Sequence, residues 1–123
     1  MKKILLPVLL LATLSSCYND KAELLYPTTC KSDSVTFSGI VGPILMVNCA
    51  SADGCHKTAD AATSGGVSLD NVAGAQVVAA NGKLLGVINH ATGFNPMPKN
   101  LPKLDDCSIN KISKWVADGA PNN

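Results

Sequence analysis

The chain has 123 residues, enough for one small domain, and its ten basic residues are all lysines set against nine acids, giving a formal charge of +1. So little net charge, and no arginine, argue against nucleic acid as a partner, because phosphate backbones are bound by basic surfaces and usually by guanidinium forks. Aromatic bulk is also scarce, with one Trp, two Tyr and two Phe, so a domain of this size needs a buried cofactor or a cross-link to complete its core.

The chain begins "MKKILLPVLLLATLSSC", with Lys2 and Lys3 ahead of an apolar run from Ile4 to Leu14 and small residues before Cys17. The run is too short to span a bilayer, and residues 1–16 read as an export signal. Leu14-Ser15-Ser16-Cys17 resembles the lipobox of bacterial lipoproteins, in which the cysteine is diacylated and becomes the new N-terminus. The alternative is an ordinary signal that leaves Cys17 as a free thiol. A lipidated Cys17, burying about 0.8 kcal/mol per methylene, would anchor the protein to a membrane surface on the exported, periplasmic side. Four cysteines follow it: Cys30, Cys49, Cys55 and Cys107. In an exported protein they are expected to be bonded, either as two disulfides of undetermined pairing or with some of them in a metal or haem site.

Residues 17–34 are polar with little periodicity and read as a tether, leaving residues 35–123 as the domain. In "FSGIVGPILMVNC" the apolar residues at 40, 41, 44 and 45 trace one helical face, with Ser38 available as the cap. Pro43 restricts the first turn to residues 40–43, because proline has no N–H for a later turn, and the helix ends by delivering Cys49. Small and polar residues from Ala50 to Gly66 predict loop and turns. Residues 71–80 and 83–89 predict two short helices parted by Asn81-Gly82. Pro96, Pro98 and Pro102 make "HATGFNPMPKNLPK" an extended loop. The final segment is the clearest helix: Asp105 or Asp106 caps it, Ile109, Ile112, Trp115 and Val116 form its apolar stripe, and Gly119 with Pro121 stops it. No β-alternation is long enough for a sheet, so the fold class is all-α, with short helices and long loops.

The stretch "NCASADGCHK", residues 48–57, carries the chemistry. Covalent haem attachment needs thiols to add to the vinyl groups and a histidine directly after the second thiol, so that its imidazole reaches the iron from the same side. Cys55-His56 supplies that pair, and Cys49 is the candidate for the second vinyl. An electron-carrying haem also takes a sixth ligand from the opposite face, where a thioether raises the potential. Met97, in the proline-fixed loop, is the candidate. His90 is either a distal ligand in its place or a surface or propionate-contacting residue beside the Met loop, and the second reading is preferred because it ends a helix. Lys57, Lys83, Lys99 and Lys103 are either a docking patch or ordinary solvated residues.

The order of helix, Cys…Cys-His, short helices, Met-Pro loop and amphipathic final helix resembles a class I cytochrome c. "FSGIVGPILMVNC…GCH", "NGKLLGVINHATGFNPMPK" and "LDDCSINKISKWVADGAPNN" resemble, more closely, small bacterial cytochrome c-like lipoproteins. The resemblance covers roughly residues 35–122. It implies one haem c bonded to Cys49 and Cys55, with His56 as proximal and Met97 as distal iron ligand. It also implies first and last helices that cross, with Trp115 at the crossing and near the haem. The chain departs from the family in the five-residue spacer Ala50–Gly54, where the family has two. A longer spacer can bulge outward if Gly54 turns tightly before Cys55. Two thioethers are expected, with a single one at Cys55 as the alternative. If haem takes Cys49 and Cys55, then Cys30 and Cys107 are left to pair, and that bridge would contribute about 4 kcal/mol in the chain-entropy picture.

The resulting expectation is a monomeric, membrane-anchored, monohaem electron carrier that meets redox partner proteins and is not an enzyme. Its rivals are a zinc module built on Cys49, Cys55, His56 and either His90 or Cys107, a structural lipoprotein with two disulfides and no cofactor, and a catalytic or gas-sensing haem protein.

Overall fold

A computed structural model describes residues 30–123. The signal segment, Cys17 and the tether up to residue 29 lie outside the described residues. Among those described there is no strand, and the elements are helices and turns, as an all-α class requires. Lys31–Asn123 is one compact unit, and Val35 is the first residue whose side chain is buried in its core.

The first helix opens as a π-helical turn, Phe37–Val41, and continues as α1, Gly42–Asn48. Its cap is Thr36, whose hydroxyl accepts the Gly39 N–H at 3.2 Å, and not Ser38, which is exposed. The wide first turn follows from that earlier start: the Val41 N–H reaches back five residues to the Thr36 carbonyl at 3.1 Å. Pro43 falls in the first turn of α1, where its missing N–H costs nothing. Val41 and Leu45 are fully buried, while Ile40 and Ile44 pack half-buried beside them, so the expected apolar face is the one that faces the core.

A 3₁₀ turn, Thr58–Asp60, lies in the loop before α2, Val72–Ala80, and α3, Lys83–Ile88, which pack on each other across the Asn81-Gly82 break. Residues 90–105 form no helix. Helix α4, Asp106–Ala117, is capped by Asp105, whose carboxylate accepts the Ser108 N–H at 2.9 Å. Its buried stripe is Ile109, Ile112 and Trp115, and it packs on α3 and on the π-helical turn.

Trp115 joins the two ends of the unit. It has no exposed surface, its ring lies 5.4 Å from that of Phe37 at 44°, and its indole N–H donates to the Pro121 carbonyl at 2.8 Å. The last residue turns back on the first helix: the Phe37 N–H donates to Asn123 Oδ1 at 2.8 Å and the Ser38 N–H to the Asn123 carbonyl at 2.9 Å. Two of the orphan donors of that helix are thereby satisfied from the opposite end of the unit.

Candidate functional site

Helix α1 stops at Cys49, whose half-buried thiol sits at the edge of the core. The N–H groups of Cys49 and Ala50 both donate to the Leu45 carbonyl, at 2.8 and 3.0 Å, which turns the chain sharply off the helix axis. Residues 51–54 are exposed, and Gly54 takes φ +75°, a conformation that a side chain would disfavour. The His56 N–H then donates to the Cys49 carbonyl at 2.9 Å. The long spacer is thus an outward bulge closed at its base, and it returns Cys55 and His56 to the end of α1.

Both Cys49 and Cys55 are free thiols. Burial pushes the Cys49 thiol up to about 11, and the neighbouring Cys55 thiolate adds to the rise. The His56 N–H bond to the Cys49 carbonyl brings the backbone of the Cys55-His56 pair back to Cys49 despite the stretched spacing.

His56 is held by backbone. Its Nδ1 lies 3.3 Å from the Val67 carbonyl, which can only accept, so Nδ1 is the donor, and in the neutral imidazole the lone pair falls on Nε2. The Val67 carbonyl also accepts from the Ser64 hydroxyl at 3.0 Å, and the His56 carbonyl accepts the Leu69 N–H at 2.7 Å. Beyond it, Asp70 accepts the Thr58 N–H at 2.8 Å and the Thr58 hydroxyl at 2.6 Å, while Asn71 donates to both Thr58 and Asp70. The Thr58 hydroxyl, first, and the Thr58 N–H, second, hold the Asp70 carboxyl below its ordinary value. Asn71 also caps α2 through the Gly74 N–H at 2.9 Å. These bonds fix the loop that presents the Val67 carbonyl to His56.

Met97 is half-buried and gripped on both sides of its backbone. Its N–H donates to the Val87 carbonyl at 3.1 Å, and its own carbonyl lies 3.1 Å from His90 Nε2, which must therefore be the donor. His90 is thus a neighbour of the Met loop, and its Nε2 is already engaged. The Phe94 ring in the same loop sits so close over α3 that a Cβ at Gly86 would come within 2.5 Å of it.

Two concavities border this loop. One, of about 340 Å³, lies between the end of α1 (Val47, Asn48, Ser51) and the segment Pro98, Leu101–Asp105. The other, of about 480 Å³, runs along residues 95–101 and includes Met97. Neighbours of Cys49 and of Met97 therefore line one cavity, whereas Cys55 and His56 line neither.

Cys30 and Cys107 are disulfide-bonded. Among the described residues no three of His, Cys, Asp and Glu come together as a metal-binding group. The rival zinc set is not assembled among the described residues: Cys107 has no thiol to offer, and His90 is turned to Met97. Of the candidate docking lysines, Lys57 pairs with Asp53 at 3.2 Å and Lys103 with Asp106 at 3.6 Å, while Lys83 and Lys99 are exposed.

The donor types present are two free thiols, an imidazole directly after the second with its Nδ1 on a carbonyl, and a thioether in a loop bound to α3. A metal-binding histidine typically gives its other N–H to such a carbonyl, which sets tautomer and orientation. The Val67 carbonyl, the Ser64 hydroxyl and the His90–Met97 bond are the parts that the sequence did not reveal. The only hint was polar: Ser64 and His90 each flank a predicted turn or helix end. Comparison with models of protein families, with curated proteins and with solved structures found no match.

Proposed function

We propose that the domain is a cytochrome c-like electron carrier holding one haem c. The observation that carries this reading is the His56 geometry: Nδ1 committed to the Val67 carbonyl, with Nε2 left as a lone-pair ligand directly after a cysteine. Cys49 and Cys55 would bond the vinyl groups, His56 would be the proximal ligand and Met97 the distal one. When bound, the haem supplies a one-electron couple between ferric and ferrous iron.

The chain's own residues do the rest. The spacer is closed by the His56 N–H bond to the Cys49 carbonyl, which supports both thiols serving one haem. The Thr58–Asp70–Asn71 network holds the loop that orients His56, and the Val87 carbonyl holds the loop that carries Met97. With His56 and Met97 both holding it, the haem would supply only that one-electron couple, and the protein would pass electrons between redox partners without transforming a substrate. The Cys30–Cys107 pairing, the lipid anchor at Cys17 and the monomeric, exported, membrane-anchored state belong to the same proposal.

The absorption spectrum of the purified ferric protein tests it. A Soret band together with a thioether-to-iron charge-transfer band is expected. A haem spectrum lacking that band would remove Met97, and a protein without a Soret band would refute the proposal.

A further inference from the structure

We propose that His90 is a positioning residue for Met97, placed at a helix end where glycine is the ordinary choice so that its imidazole can hold the Met97 carbonyl. The proposal rests on the reading of Met97 as distal ligand, and it makes His90 the group that keeps the thioether in place.

The ends of α3 and α4 close in the same way, which gives an internal comparison. After α2 and α4 the chain passes through a left-handed residue, and both times it is glycine: Gly82 at φ +75° and Gly119 at φ +91°. At the end of α4 the Gly119 N–H donates to the Val116 carbonyl and the Ala120 N–H to the Trp115 carbonyl, at 3.0 and 2.9 Å. Helix α3 closes with the same pair of bonds, His90 N–H to Val87 at 3.2 Å and Ala91 N–H to Gly86 at 3.0 Å. The left-handed position here, however, is His90 at φ +53°. A side chain with a Cβ is strained in that conformation, where glycine is not. Asn100 at φ +60° and Ala120 at φ +52° share this conformation, and what sets His90 apart is its side chain: among the described residues its imidazole hydrogen-bonds the Met97 carbonyl, at 3.1 Å.

The consequence is geometric. The carbonyl of Val87 accepts both the His90 N–H and the Met97 N–H, at 3.2 and 3.1 Å. With the His90 side chain on the Met97 carbonyl, residues 87, 90 and 97 form one closed unit, and both backbone polar groups of Met97 are bound to the end of α3. The thioether then has a fixed origin on a buried helix, since Leu84, Gly86 and Ile88 are all in the core. A rival sixth ligand has to displace a group whose backbone cannot follow it away. Losing one hydrogen bond of this kind weakens such a hold by about fivefold to tenfold.

His90→Gly separates this role from a merely structural one, because glycine suits the backbone at that position and removes only the imidazole. The experiment uses the full mature protein as purified from a host that attaches haem. Imidazole is titrated against the thioether-to-iron band, amide exchange is followed at Met97, and urea unfolding is measured alongside. His90→Gly is expected to unfold at the same or higher urea concentration, to bind imidazole about fivefold to tenfold more tightly and to exchange the Met97 N–H faster. His90→Gln, which keeps an N–H donor of similar reach, is expected to restore both of the latter toward the wild-type values. Unchanged imidazole affinity with unchanged exchange in His90→Gly would overturn the proposal. Were the purified protein to contain no haem, the electron-carrier reading would fail by itself, and exchange at Met97 would still decide the role of His90: faster in His90→Gly sustains the clamp, unchanged overturns it.

Discussion

The Cys49 thiol gives the sharpest prediction about the cysteine pair. Burial, with the neighbouring Cys55 thiolate adding to it, raises its pKa from 9.0 to about 11. At neutral pH that leaves about a hundredfold fewer thiolates than an ordinary cysteine has. The greater basicity of the thiolates that do form offsets about tenfold of this, so Cys49 in the haem-free protein is expected to alkylate about tenfold more slowly than an unperturbed thiol. The assay is a short iodoacetamide pulse over a series of alkaline pH values, with modification at Cys49 and Cys55 read separately by peptide mass. Replacing Cys55 with Ser removes the charge contribution and leaves burial, so the Cys49 midpoint is expected to fall but to stay above 9.0. A Cys49 midpoint near 9.0 in the unaltered protein would refute the burial of this thiol, and no movement in Cys55→Ser would refute the influence of Cys55 on it.

Trp115→Ala removes a fully buried ring, its contact with Phe37 and its bond to the Pro121 carbonyl, and is expected to cost about 3–5 kcal/mol in urea unfolding. A loss below about 1 kcal/mol would mean that the two ends of the unit are not joined there. Because the Asp70 carboxyl titrates below its ordinary 3.8 in the folded protein, its contribution to stability is complete above that value and is lost as pH falls through the lower folded value. Asp70→Asn should therefore show a shallower decline of stability with acid below 3.8, measured by thermal unfolding against pH; an unchanged slope would contradict the Thr58 bonds. Gly86→Ala tests the Phe94 contact: helix propensity alone predicts a gain of about 1 kcal/mol, whereas a Cβ placed 2.5 Å from the ring predicts a net loss.

What could be read from the sequence was what local chemistry decides. Asp105 before an apolar stripe, the Asn81-Gly82 interruption and the run of prolines each act over a few residues, and α4, the α2–α3 break and the helix-free loop follow from them. The first helix starts at Thr36 and not at Ser38, although both residues are N-cap types and Ser is the better of the two. The choice fell to Thr36 through the π-helical turn and through Asn123, whose bonds to Phe37 and Ser38 come from the far end of the unit. The site divides in the same way. Cys55-His56 and Met97 announce themselves by type and spacing, and Gly54 by its freedom to turn. The acceptor for His56 is a backbone carbonyl eleven residues away, and any residue at position 67 would supply one, so no side-chain signal marks it. His90 read as a helix end beside the Met loop, which it is, but its hold on Met97 depends on where the loop returns.

The most direct test of the account is the intact mass of the mature protein under denaturing conditions, taken with its pyridine haemochrome spectrum. The account predicts a polypeptide that keeps the mass of one haem after unfolding, with a spectrum set by thioethers at Cys49 and Cys55. A polypeptide that unfolds to its bare mass would contradict it.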